Sequence, residues 1–153
     1  MTEYVNGLLF SPDRRHLAMV HKKKPAWQAG RLNAIGGKKK PGETYHDAVV
    51  REFEEETGVH IPEWEHTITL TAPWGVSGPA GQDWWELRFF RAFSPEVFNV
   101  RTKETEEILV VPINLVGHVG QLPPQLNVIP NLTWAIPMSL DDHLGFPLSF
   151  REK

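Results

Sequence analysis

Apolar and polar positions change their spacing several times along the chain, and each change marks an element. Tyr4 to Phe10 and His16 to His21 are apolar runs separated by the turn Ser11-Pro12-Asp13, which predicts two strands in a hairpin. The next stretch, KKKPAWQAGRLNAIGGKKKPGE, is rich in Lys, Gly and Pro and reads as an ordered loop holding a short strand, Arg31 to Ile35. From Thr44 to Thr57 the period becomes helical, with Val49, Val50, Phe53 and Thr57 on one side. Thr44 with Asp47 three residues on is a loose capping box, and Gly58 stands where a glycine ends a helix. Thr67 to Ala72, Trp84 to Phe93 and Ile108 to Pro112 read as strands, and Trp85, Leu87, Phe89 and Phe93 share a parity. A closing helix is expected over Asn131 to Asp142, with Pro137 kinking it or moving its start later. Strands interleaved with two helices predict a mixed α/β domain.

Composition narrows the function. The 153 residues, 41% of them apolar, suit a single domain over 1–153 with a real core, and no repeat or long linker divides it. Sixteen basic and 19 acidic side chains give a net charge of -3, which argues against stable nucleic-acid binding through phosphates. With no cysteine, a disulfide scaffold, a thiolate zinc site and a cysteine nucleophile are excluded together. The seven histidines show no metal-ligand spacing. No apolar window reaches the ~18 residues that span a bilayer. The opening MTEYVNGLLFSPDRRH has no basic stretch ahead of an apolar one, so a cytoplasmic location without membrane partners is expected.

The chemistry concentrates in GGKKKPGETYHDAVVREFEEETGV, residues 36–59. On a helix, Glu52, Glu55 and Glu56 fall within an arc of about 100°, beside the apolar stripe, while Glu54 points elsewhere. Like charges at these spacings cost roughly 0.2–0.5 kcal/mol per pair, and a divalent cation would offset the cost. Oxygen donors without Cys or paired His favour Mg²⁺ or Mn²⁺ over Zn²⁺. Mg²⁺ keeps waters and shares its other positions with substrate phosphates, so a phosphorylated ligand is implied. Gly36, Gly37 and Gly42 let backbone approach such a ligand closely. A merely solvated acidic face is the alternative; the glycine turn and Arg51 at fixed offsets weigh against it.

The segment resembles the Nudix box, G-x5-E-x7-R-E-U-x-E-E-x-G-U, where U is a bulky aliphatic or similar residue. Gly37, Glu43, Arg51, Glu52, Phe53, Glu55, Glu56, Gly58 and Val59 match its nine fixed places over 37–59, with Phe53 the loosest fit. The resemblance implies an α/β/α sandwich around a mixed sheet and Mg²⁺-dependent hydrolysis of a nucleoside diphosphate linked to a group X. It also implies Glu52, Glu55 and Glu56 as metal ligands, with the Gly36 carbonyl as an additional one. Arg51 then holds the catalytic carboxylates in place and Glu43 supports the loop. The carboxylate that takes the proton from water varies within the family. Glu55 and Glu52 are the candidates inside the box. Glu107, in KETEEILVVPINL, is the candidate outside it, since that stretch resembles the acidic loop of MutT-like members; a solvated turn at Glu104, Glu106 and Glu107 is the alternative.

Residues outside the box choose the substrate. NLTWAIPMSLDD resembles the C-terminal helix of oxidised-purine nucleoside triphosphatases, with Trp134 as its Trp and Asn131 as a base reader able to donate and accept. Two residues, Ala135 and Ile136, separate Trp134 from Pro137 where that pattern has one, and Trp134 as plain core remains open. Pro73, 14 positions beyond the box, resembles a proline of ADP-ribose hydrolases, with Trp74 near a tyrosine position of dinucleoside polyphosphate hydrolases. The SQPWPFP-type signature of NADH-cleaving members is absent. Lys22 to Lys24 and Lys38 to Lys40 flank the glycine loop; Lys38 is the candidate phosphate contact, against an ordinary surface role for all six. Among six tryptophans, some could stack on a base or form a homodimer interface.

The expected activity is that of a MutT-like pyrophosphohydrolase giving a monophosphate and pyrophosphate from a nucleoside triphosphate, canonical or oxidised. ADP-ribose or nucleotide-sugar cleavage is the alternative, RNA decapping a third for which net charge gives no support, and a catalytically silent nucleotide-binding sensor stands outside the enzyme class.

Overall fold

The computed structural model describes residues 1–74, 84–116 and 126–152. Its strands are β1 (Thr2–Phe10), β2 (His16–His21), β3 (Leu32–Asn33), β4 (Ile35–Lys38), β5 (Glu65–Pro73), β6 (Trp84–Phe93), β7 (Glu107–Pro112) and β8 (Leu148–Arg151). The helices are α1 (Tyr45–Thr57), between β4 and β5, and α2 (Leu132–Leu140), between β7 and β8. All the strands join one sheet, along the path β3-β2-β1-β6-β5-β8, with β4 on β1 and β7 on β2. The β1–β6 and β5–β8 pairs are parallel and the others antiparallel, so the sheet is mixed as expected.

Alternation along the central strands gives each face its own core. Val5 and Leu9 of β1 join Phe90 and Ala92 of β6 beneath Ala48, Val49 and Phe53 of α1. Leu8 and Phe10 of β1 join Phe89 of β6 and Ile68 of β5 beneath Leu132, Ala135 and Ile136 of α2. This is the α/β/α sandwich. The parity read for β6 is the α2 face, where Phe89 is buried and Leu87 and Phe93 pack at the margin.

Several elements depart from expectation. The hairpin closes only beside its turn, where Phe10 faces Leu17; beyond that β2 pairs with β7 along its whole length and β1 pairs with β4. The single strand expected over Arg31 to Ile35 is two strands with different partners, β3 on β2 and β4 on β1. That switch carries Gly36 and Gly37 into a ladder position. Pro137 neither starts nor ends α2. It sits within the helix, whose buried side chains Leu132, Ala135, Ile136 and Ser139 hold it to the sheet despite the N–H that proline lacks. The edge strand β8, LSFR, is short and mostly exposed and is not among the elements expected from the sequence, although its four residues alternate apolar and polar.

Candidate active site

The helix that carries the carboxylates is set by its ends. The Thr44 hydroxyl accepts from the Asp47 N–H, and Gly58 ends the helix at φ 75°, a left-handed conformation open to glycine. A Cβ at position 37 would stand 2.6 Å from the Glu52 carboxyl carbon, so only a glycine in β4 lets that carboxylate lie against the strand. At Gly36 a Cβ would come 1.9 Å from the Val5 carbonyl oxygen, and here the glycine serves the β1–β4 pairing.

Arg51 organises the acidic groups. Its Nη2 and Nε donate to the two Glu43 oxygens at 2.6 and 3.1 Å, and its Nη1 donates to Glu52 at 2.8 Å and Glu55 at 3.2 Å. Nη2 also reaches the Lys38 carbonyl at 3.2 Å, so Lys38 contributes its backbone here while its side chain is exposed. The fork geometry suits arginine and not lysine. The bidentate Arg51 pair, opposed in part by burial, holds the Glu43 pKa down at about 2.

Glu56 is treated differently. Its Oε2 is buried with no hydrogen-bond partner among the described residues. Burial first, then the neighbouring charges of Glu52 and Glu104, push its pKa up to about 8. Burial also raises Glu52, against the pull of Arg51. A buried, unpartnered carboxylate oxygen beside like charges is the environment that a bound cation relieves. The oxygen-only donor set suits Mg²⁺ or Mn²⁺. Among the described residues no three acidic or imidazole side chains already converge on one point, and Arg51 is occupying oxygens of Glu52 and Glu55.

Of the later acidic stretch, Glu104 is the member whose charge bears on both Glu52 and Glu56. It is brought there because the Arg101 and Lys103 N–H groups donate to the Thr57 and Glu56 carbonyls at the end of α1. Glu106 is taken up by Lys22 at 2.8 Å and by the Lys23 N–H at 2.6 Å. Glu107 is exposed at the start of β7, opposite His21. The sequence marks the stretch as acidic, but which glutamate faces α1 depends on contacts that no local pattern records. Glu54 pairs with His60 at 3.0 Å, away from this group. A groove of about 410 Å³ along α1 is lined by Asp47, Val50, Arg51, Glu54 and Glu55. It lacks Glu52 and Glu56, so it borders the acidic centre and does not contain it.

Asn131 and Trp134 belong to the opposite face of the sheet. Asn131 precedes α2, and its side-chain Oδ1 is buried with no partner among the described residues. The half-buried Trp134 packs on the α2-side core, its ring 5.6 Å from Phe150. Val128 bridges to Leu32, and the chain from Leu32 to Gly37 spans no more than about 18 Å. Pro73 ends β5 opposite Trp84, and the adjacent Trp74 has a buried indole N–H without an acceptor among the described residues and an edge-on contact with Tyr4.

These features coincide with what is known of other proteins. The family model described as the NUDIX domain matches residues 2–132, and the chain belongs to the Nudix hydrolase family, whose members act on phosphoanhydride bonds. In fold it is similar to the MutT protein of Bacillus halodurans, at 20% identity over 99% of this chain and 90% of that one, TM-score 0.67. The MutT NUDIX hydrolase of Burkholderia pseudomallei gives 18% identity over 94% and 98%, TM-score 0.62. The NUDIX domain of Shewanella oneidensis NrtR, solved with ADP ribose, gives 18% identity over 91% and 88%, TM-score 0.59. No curated protein sequence gives a significant match. Among the described residues no helix is long and apolar enough to cross a membrane.

Proposed function

We propose that this chain is a Mg²⁺-dependent pyrophosphohydrolase that cleaves a nucleoside triphosphate, canonical-base or oxidised, to the monophosphate and pyrophosphate. The observation that carries the reading is Glu56, whose buried oxygen lacks a partner beside the Arg51-ordered Glu52 and Glu55. Glu52, Glu55, Glu56 and the Gly36 carbonyl are the groups that would hold Mg²⁺, or Mn²⁺ in its place. When bound, the ion neutralises pyrophosphate charge and lowers the pKa of a water. The chain's own part is to hold those carboxylates through Arg51 and Glu43, and to take the water's proton on a carboxylate. Glu55, Glu52 and Glu107 are candidates for that base, and Glu104 joins them because its charge reaches Glu56.

For the base, the unpartnered Asn131 oxygen suits an exocyclic amine of a purine, with Trp134 less than one turn further along α2. Lys38, exposed at the end of β4, is a point charge for the phosphates. A second reading, ADP-ribose cleavage, draws support from the free indole N–H of Trp74 next to Pro73. The deciding experiment incubates the purified chain and its Glu56→Gln variant with Mg²⁺ and canonical and oxidised dNTPs, ADP-ribose, NADH, dinucleoside polyphosphates and capped RNA. Monophosphate and pyrophosphate from one triphosphate, lost in the variant, supports the first reading. AMP and ribose phosphate from ADP-ribose supports the second. Tight nucleotide binding with no turnover by the wild-type chain defeats both and favours a silent sensor.

A further inference from the structure

Tyr45, the first residue of α1, occupies none of the fixed box positions and has no part in the chemistry above. Its hydroxyl donates to Glu86 of β6. The Arg88 guanidinium lies 3.7 Å from its ring centroid and donates to the same Glu86 at 3.0 Å. The Lys39 ammonium stands 5.3 Å from the same ring centroid and pairs with Glu3 at 3.1 Å. The Lys39 N–H also donates to the Glu3 carbonyl at 2.9 Å. Glu3 and Glu86 face each other across the β1–β6 pair. Two carboxylates and two cations thus close around one phenol, which burial and the carboxylates keep protonated and therefore a donor.

The place of this cluster gives it meaning. Lys39 is where the chain leaves β4 and Tyr45 is where it enters α1, so both ends of segment 39–45 are fastened to the sheet at one point. Between them Lys40, Pro41, Gly42 and Thr44 are exposed and bury no apolar anchor. The remaining side chain, Glu43, is the one that grips Arg51 with both oxygens. Where Glu43 sits therefore follows from where the two ends are held, and the Arg51 hydrogen bonds to Glu52 and Glu55 follow from Glu43.

We propose that Tyr45, held by Glu86 and Arg88, is a positioning residue for the catalytic carboxylates, acting through the ends of segment 39–45, Glu43 and Arg51. The proposal rests on the metal-hydrolase reading above. Tyr45→Phe removes the hydroxyl and keeps the ring for Arg88 and Lys39, so it isolates the link to the sheet. The readout is binding of Mn²⁺ alone, followed by electron paramagnetic resonance of the free ion, with the thermal midpoint measured alongside.

Glu43→Gln should weaken Mn²⁺ binding about 10- to 100-fold, the range for groups that orient metal ligands, and Tyr45→Phe about 5-fold. The Tyr45→Phe/Glu43→Gln double variant should bind no more weakly than Glu43→Gln alone, because the tyrosine has lost its route. Glu86→Gln should move affinity in the same direction, and it replaces Tyr45→Phe if that variant does not fold. Wild-type affinity in Tyr45→Phe, with Glu43→Gln impaired, overturns the proposal and leaves the hydrolase reading intact. Additive losses in the double variant also overturn it, since they show a tyrosine acting independently of Glu43. Absence of Mn²⁺ binding by the wild-type chain overturns the proposal and the hydrolase reading together.

Discussion

Gly37 lies directly beneath the carboxylate of Glu52: an added Cβ would be 2.6 Å from each of the carboxyl carbon and Oε2. The contact joins β4 to α1 at the point where the acidic groups gather. Gly37→Ala should therefore displace Glu52 and lower turnover about 10- to 100-fold while leaving the far-ultraviolet circular dichroism unchanged. Gly42→Ala is the contrasting change. Nothing lies within 4 Å of a Cβ there, but φ is +84°. It should cost about 1–2 kcal/mol of stability in urea unfolding, from the left-handed backbone alone.

Arg51 and Glu43 give a pH dependence whose sign is fixed. The Glu43 carboxyl has a pKa of about 2 in the folded chain, below its ordinary value of 4.5, because Arg51 holds it charged. Its stabilisation is complete above the unfolded value and is lost as pH falls from about 4.5 towards 2. Urea midpoints of wild type and Glu43→Gln should differ by a constant amount above pH 5 and converge across that acid window. A difference that grows as the pH falls would contradict the ion pair.

The partnerless oxygen of Glu56 predicts a response to metal. Saturating Mg²⁺ should raise the thermal midpoint over that in EDTA, by the linkage of binding to folding, about 2.7 kcal/mol at a hundredfold excess over Kd. Glu56→Gln should remove most of that increment. It should leave the EDTA-treated protein about as stable as wild type at pH 7, where burial already holds Glu56 largely protonated, and more stable than wild type above pH 8, where the wild-type chain has to bury a charge.

Arg91 predicts a separable effect on recognition. Its side chain, 12% exposed, donates to the Ser139 carbonyl at 3.0 Å, to Asp142 at 2.9 Å and to Glu65 at 2.7 Å. It thereby ties the end of α2 to β5 and β6. Arg91→Ala should cost about 1–3 kcal/mol. In the enzyme as proposed, it should raise the nucleotide KM more than it lowers kcat, because α2 begins directly after Asn131 and carries none of the carboxylates.

The legible parts of this chain are those written locally. The bounds of α1 follow from Thr44, Gly58 and the spacing of Val49, Phe53 and Thr57, and each behaves in the structure as its chemistry dictates. Strands β2 and β6 begin and end where the apolar runs do. The spacing of Glu52, Glu55 and Glu56 alone puts them on one face of a helix. What escaped depends on distant partners. β3 and β4 separate because one finds β2 and the other β1. The charge of Glu104 bears on both Glu52 and Glu56 because backbone donors at 101 and 103 meet the end of α1. The sequence could mark Tyr45 only as the start of a helix, since Glu3 and Glu86 come from two other strands.

β1 has a consequence of its own. Its odd-numbered residues Val5 and Leu9 belong to the core beneath the carboxylate helix, and its even-numbered Leu8 and Phe10 to the core beneath the helix that follows Asn131. In the enzyme as proposed, chemistry and recognition are therefore two halves of a molecule that share a single spine. Each half can accept new side chains without disturbing the other, so long as the spine keeps its phase. A lineage built on this plan can change its diet while keeping its teeth.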